Sequence, residues 1–256
     1  MAHLWRHCGD SPGAAIIWMS GRIIPTAAHA TSFVPYRVRR ICVNLEEAIK
    51  TRRSIRKYQN REVPTSLILR AIELSSWSPN GGNYQPWKFF VVKNREVITK
   101  IADAVQNKVD LIASWPEAEP FGDTMVRYAR NAAFFRSAPA LVAVAMGGYQ
   151  SVADRVLRQR GQTDPVAQEM IRNREEISSR IQTIAGATAH LLLALHSLGL
   201  GACWTAGPML ARREISQLLD VPPEVELFAL VPVGYPTENP APGQRKPLGE
   251  IVRVIE

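Results

Sequence analysis

The chain has 256 residues, 46% of them hydrophobic and 21% charged, with a formal net charge of +8. That balance excludes disorder as a description of the whole chain, and no apolar run approaches the roughly 20 residues of a membrane-spanning helix. Cys8, Cys42 and Cys203 form no CxxC pair, which argues against a disulfide framework or a structural zinc site.

Residues 1–43 hold five arginines against Asp10 alone, half of the whole excess. With no recognition helix, finger or RNA-reading motif beside that charge, no nucleic-acid partner is expected. The same stretch lacks periodicity, and its apolar run Ala14–Met19 is shorter than a signal-peptide core. It is expected to lie outside the fold, disordered or as translated sequence upstream of a start near Met19 or Val43, with an Arg-bearing transit peptide as the alternative.

The folded part is expected to span residues 44–256. Asn44 with Glu47 three residues on resembles a capping box and predicts a helix to about Thr51. Ser54–Tyr58 alternates and reads as extended. Pro64 opens a second helix with Leu67, Ile68, Ala71 and Ile72 on one face, ended by Ser75–Pro79. Asn80-Gly81-Gly82-Asn83 is a loop, in which Pro86 biases Gln85 toward an extended backbone. Trp87–Val92 is a strand, and 95–136 is mostly helical with breaks at Trp115-Pro116 and Glu119-Pro120.

The apolar run Ala140–Met146 predicts a buried strand, and Gln150–Arg180 a charged surface excursion. Ile181, Ile184, Ala185, Thr188, Leu191, Leu192 and Leu195 then form one stripe at helical spacing, stopped by Gly199. The opposite face is small (Gly186, Ala187, Ala189, Ala194), so the helix is expected to pack on more than one face, with that side open to close approach by a second helix or a ligand. Gly201–Ala206, Glu226–Gly234 and Ile251–Ile255 read as strands, and Arg212–Leu219 as a helix. This irregular alternation favours a mixed sheet covered by helices.

Three clusters carry possible chemistry. Arg52-Arg53-Ser54-Ile55-Arg56 could grip a phosphate through planar guanidinium forks, or be a solvated basic turn. Ser78–Trp87 offers glycines for close backbone approach and amides that both donate and accept, or is a plain connection. Gly199–Pro208 is joined by Gly243–Leu248. Cys203 could be proposed as a nucleophile, but His190 and His196 both lie in the apolar helix and read as core residues. No GxSxG, HExxH, P-loop or GxGxxG pattern is present.

Taken in order, Ala48-Ile49-(x)2-Arg52-Arg53-Ser54-Ile55-Arg56, Ser78-Pro79-Asn80-Gly81-Gly82-Asn83-Tyr84-Gln85-Pro86-Trp87, Leu198–Trp204, Pro232–Pro236 and Arg245-Lys246-Pro247-Leu248 resemble the FMN-dependent nitroreductase superfamily, over about residues 44–254. The resemblance implies an α+β fold with a mainly antiparallel central sheet covered by helices, in an interlocked, cytoplasmic homodimer. FMN would lie at the subunit interface. Arg52, Ser54 and Arg245 would hold its phosphate, with Arg53 near phosphate or ribityl chain and Arg56 near N1 and the C2 carbonyl. Asn80, Asn83 and Gln85 would meet the ribityl or pyrimidine side; Thr205, Ala206 and Gly207 would approach the ring. NADH or NADPH would give hydride to flavin N5 in a ping-pong scheme that needs no catalytic side chain and no metal. A nitroaromatic, quinone or related conjugated compound would be the acceptor. The Asn-Gly-Gly loop also resembles dehalogenating and flavin-fragmenting branches, and a flavin-binding protein without turnover is the reading from outside enzymology.

A chain beginning at Val43 is expected to stay soluble, dimeric and yellow. Loss of fold or flavin on that truncation, read by circular dichroism and visible absorbance, would place residues 1–42 inside the domain.

Overall fold

A computed structural model describes residues 44–256; the leader expected over residues 1–43 lies outside the described residues. The helix predicted at Asn44 is α1 (Leu45–Thr51), and the Asn44 Oδ1 atom accepts from the Glu47 amide at 2.8 Å. α2 (Thr65–Ser75) follows, then β1 (Trp87–Val92), α3 (Arg95–Ala113), α4 (Gly122–Asn131) and β2 (Ala140–Met146). Next come α5 (Val152–Arg160), α6 (Pro165–Ile177), α7 (Ser179–Ser197), β3 (Gly201–Ala202), α8 (Arg212–Leu218), β4 (Glu226–Gly234) and the short α9 (Leu248–Ile251).

The strands form one antiparallel sheet in the order β1-β2-β4-β3. All seven residues of β2 are buried, because helices cover both faces of the sheet. Side-chain alternation sorts them. Ala140, Val142, Val144 and Met146 pack with Ile68 of α2 and with Leu191 and Leu195 of α7. Leu141, Ala143 and Ala145 pack with Ile98 and Ile101 of α3 and Ile215 of α8. A strand buried on both sides reads as a continuous apolar run, as this one does. Among the described residues, no helix is long and apolar enough to cross a membrane.

Four expectations need correction. The small face of α7 is not left open: Ala187 is fully buried, its carbonyl accepting from Ser75 Oγ at 2.7 Å, and Ala194 is buried as well. Small residues there let α2 approach closely within one chain. Of that set, Ala189 is exposed. Second, Ile251–Ile255 forms no strand; α9 gives way to irregular chain with Val254 and Ile255 exposed, and among the described residues no strand pairs with them. Third, the strand over 201–206 is regular only at Gly201–Ala202, after which Thr205 pairs with Leu230 through two 3.0 Å backbone bonds. Fourth, Gln85 takes a left-handed φ of 52° rather than an extended one, its amide held by Asn80 Oδ1 at 2.8 Å.

The charged excursion is a helical hairpin of α5 and α6. Asp154 organises it: its carboxylate accepts from the Ser151 amide (2.8 Å) and hydroxyl (2.7 Å), closing a capping box, and from Arg174 Nε on α6 at 2.6 Å. The bond from Arg174 is the largest cause holding this carboxyl at about 2, below its ordinary 3.8. Since the folded state favours the ionised form, its contribution is complete above pH 4 and fades as the pH falls toward 2. Asp154→Ala is expected to cost about 1 kcal/mol, the usual worth of a helix cap. Urea unfolding at pH 7 measures it, and the difference from the parent chain should shrink at the acid end.

Candidate active site

α1 ends where Arg52 turns into an extended backbone, and the following residues run beside β3. Ser54 pairs in parallel with Ala202, and the Ile55 amide donates to the Ala202 carbonyl at 3.0 Å. The approach is close enough that a Cβ on Gly201 would sit 2.9 Å from three carbons of Ile55. Ile55 is buried. Alternation therefore turns Ser54 and Arg56 to the other side.

A second strand-like stretch, 235–240, holds this segment from outside. The Gln59 amide donates to the Tyr235 carbonyl (2.8 Å), and the Thr237 amide to the Lys57 carbonyl (3.1 Å). The Glu238 carboxylate accepts from the backbone amides of Arg56 (2.6 Å) and Lys57 (3.1 Å). Arg53 spends its guanidinium on carbonyls: Lys50 at 2.7 Å, Arg52 at 2.9 Å and Pro240 at 3.2 Å. Arg52 and Arg56, in contrast, have no carboxylate ion-pair partner among the described residues.

Two clefts meet at Glu238. One, of about 410 Å³, is lined by Thr51, Arg52, Arg53, His196 and Asn239. The other, of about 790 Å³, has Arg56 and Lys57 at one side and Tyr128, Phe134, Trp204 and Thr205 around it. Both lie in the size range of small-molecule sites. Arg56 also stands 5.9 Å from the centre of the Phe134 ring.

The candidate nucleophile is not armed. Burial pushes the Cys203 thiol up, and its Sγ faces the Trp204 carbonyl at 3.7 Å. His196 lies in the other cleft, its Nε2 paired with Thr51 Oγ1 at 2.9 Å. Burial first, then Arg52 and Arg53, push its pKa down, so the ring stays neutral at pH 7.

The structure thus gathers Arg52, Arg53, Ser54, Arg56 and Thr205 at the β3 edge, with Ala206 and Gly207 following at the start of a short 3-10 turn. It does not bring Asn80, Asn83 and Gln85 there. That loop bonds to itself, Gln85 Nε2 donating to Asn83 Oδ1 at 3.3 Å, and its Ser78 hydroxyl is buried without a partner beside Gly186. Gly186 and His196 are ten residues apart on α7, about 15 Å of helix. Arg245 also stands apart, exposed and turned onto its own Gly243 and Gln244 carbonyls (both 3.1 Å).

Sequence reasoning missed Glu238, Tyr128, Phe134 and the placement of His196, and gave Trp204 no role of its own within the Gly199–Pro208 cluster. Glu238 lies 182 residues from Arg56, and no local pattern marks it. Tyr128 had a faint signal, sharing one face of α4 with Thr124 and Asn131. Glu238→Ala should destabilise the chain by about 1–3 kcal/mol, since two amides lose a charged acceptor. Glu238→Gln, which keeps one acceptor oxygen, should lose less; urea unfolding of both variants tests the clamp.

The model of the family described as Nitroreductase family matches residues 49–235. A protein of Methanothermobacter thermautotrophicus, provisionally named an NADH dehydrogenase/NAD(P)H nitroreductase, is 36% identical over 197 residues, 76% of this chain and 78% of that one. An iodotyrosine deiodinase of Hydra vulgaris is 28% identical over 234 residues, 86% of this chain and 79% of that one. Among solved structures, a BluB-like flavoprotein from Clostridium difficile is similar with a TM-score of 0.73 and 28% identity, over 83% of this chain and 99% of that one.

Proposed function

The chain belongs to the nitroreductase family, and from that premise we propose that it is an FMN-dependent NAD(P)H oxidoreductase acting on nitroaromatic, quinone or related conjugated acceptors. One observation carries the cofactor assignment. Two guanidinium groups stand without carboxylate partners among the described residues, Arg52 in the 410 Å³ cleft and Arg56 in the adjoining 790 Å³ cleft with aromatic walls. A phosphate monoester with a charge near −2, joined to a planar heterocycle, matches both halves of that environment.

Arg52 and Ser54 would hold the phosphate, and Arg245 would have to leave the Gly243 and Gln244 carbonyls that it bonds in this structure to complete the grip. Arg53, already spent on carbonyls, would shape the turn and reach phosphate or ribityl chain only secondarily. Arg56 would stabilise negative charge on the pyrimidine side. Tyr128, Phe134 and Trp204 would exclude water, and Thr205, Ala206 and Gly207 would border the ring. FMN, when bound, supplies the hydride chemistry, accepting from a reduced nicotinamide and delivering to the acceptor. Nothing in the site needs a side-chain acid, in keeping with the protonated Cys203 and neutral His196.

The working unit is a homodimer. Asn80, Asn83 and Gln85 lie too far along α7 to reach their own chain's arginines, so a second copy would supply them. Two exposed surfaces suit such a partner: the α7 face around Ala189, and the C-terminal segment with Leu248, Ile251, Val254 and Ile255. A second reading keeps the flavin and changes the reaction. The deiodinase relatives favour reductive dehalogenation of a phenol, which anaerobic turnover of halogenated phenols would detect.

The purified protein should be yellow and release FMN on denaturation, and should oxidise NADH or NADPH faster when a nitroaromatic is added. Arg52→Ala or Arg245→Ala should weaken FMN binding by about 10- to 150-fold, the worth of one charge-assisted partner. Unchanged flavin titrations for both would remove the phosphate assignment. With Ala187 buried in the monomer, the interface is tested at Ala189. Ala189→Glu should give a folded, colourless monomer by sedimentation; a yellow monomer would defeat the shared site.

A further inference from the structure

The larger cleft continues into a second cavity. Tyr128, Asn131, Phe134 and Thr205 line both, and the second, of about 330 Å³, runs on beneath α4. Its floor is apolar: Val105 and Val109 of α3 are almost wholly buried, and Pro208 closes the far side. Its rim is polar and comes from one face of α4, where Thr124, Arg127 and Asn131 stand three and four residues apart. The rim is a fixed wall, because Gln106 on α3 donates through Nε2 both to the Ala129 carbonyl of α4 (3.1 Å) and to Asp110 (2.8 Å).

Arg127 carries an uncompensated charge on the cavity's own lining. Lys108 and Arg136 nearby are paired, with Glu214 and Asp103, each at 2.8 Å. Arg127 has no carboxylate partner among the described residues. Asn131 Nδ2 donates to the Arg127 backbone carbonyl at 2.8 Å, which steadies the turn that carries the guanidinium. An apolar-floored cavity of about 330 Å³ with an arginine in its lining suits an aromatic ring bearing an anion. The fork geometry of arginine matches a carboxylate with two parallel bonds, which a neutral ester cannot reproduce.

We propose that this chain selects aromatic acceptors that carry an anionic substituent, with the ring over Val105 and Val109 and the anion on Arg127. The inference rests on the reading above that FMN occupies the larger cleft, which makes the adjoining cavity the acceptor's. Arg127 is then a specificity-determining residue, with no part in electron transfer.

The test compares 4-nitrobenzoate with its methyl ester, two ligands that differ in charge and share the ring and nitro group. Affinities are measured by titration calorimetry on the flavin-loaded protein, and kcat/KM with NADH and with NADPH. The acid should be preferred by about tenfold at low salt, less at high ionic strength. Arg127→Gln should bring the ratio close to one, and Arg127→Lys, which keeps the charge without the fork, should retain part of it. The preference is a ratio, so a general loss of fold or flavin cancels from it. Equal treatment of acid and ester by the parent protein, or a preference that survives Arg127→Gln, would overturn the inference. So would a variant whose only change is a raised KM for NADPH, since Arg127 would then serve the nicotinamide's phosphate. Absence of released FMN would instead sink the cofactor reading, and with it the description of the bound ring as an acceptor.

Discussion

Burial of β2 on both faces is the constraint that the rest of the molecule obeys. A seven-residue strand with no solvated side needs a helical layer above and below, and its alternation assigns four residues to the α2–α7 layer and three to the α3–α8 layer. Its backbone must also pair on both edges, since unpaired buried amides are costly. β1 does so with an unbroken ladder, and β4 with one whose register shifts between Val144 and Ala145. Chemistry is thereby pushed off the sheet's centre to its β3 edge, where Gly201, having no Cβ, allows Ile55 of the Arg52–Arg56 segment to pack directly against the strand.

That edge concentrates positive charge in a way the fold alone does not require. Arg52, Arg53, Arg56 and Lys57 arrive within one turn and one extended stretch, and the acidic residue between the two clefts, Glu238, spends its Oε1 on two backbone amides. Guanidinium groups held this close repel one another, and a bound anion relieves the repulsion. The neutral state of His196 follows from the same field, because burial and two adjacent arginines disfavour a further proton. The cluster therefore has the character of an anion receptor first, and an aromatic-walled cleft second.

The second loop illustrates why residue order and residue proximity differ. Asn80, Asn83 and Gln85 follow the arginines by fewer than thirty-five residues, yet α2 carries them to the opposite end of α7. Within the loop, Asn83 and Gln85 both hold positive φ, at 53° and 52°. Such backbone is unfavourable for residues with a Cβ and persists only when the surroundings fix it, here the Asn80 side chain on the Gln85 amide. The local bias of Pro86 toward extended backbone was overridden by that one bond.

Local patterning by itself determined the helix starts at Asn44 and Pro64, the three long strands and the apolar stripe of α7, because caps, alternation and 3.6-residue periodicity are properties of contiguous residues. The arginine cluster was legible as a possible phosphate grip for the same reason: its members lie within five positions. Tertiary structure decided what contiguity cannot encode. Whether the small face of α7 is open depended on where α2 docks, and Ser75 closes it at Ala187. Whether Ile251–Ile255 forms a strand depended on a neighbour to pair with, which this chain does not supply among its described residues. The reach of Glu238 to Arg56 and the meeting of α4 with Trp204 and Thr205 are contacts across 70 to 180 residues. They exist because the sheet folds the chain back on itself, and no local preference of either partner announces them.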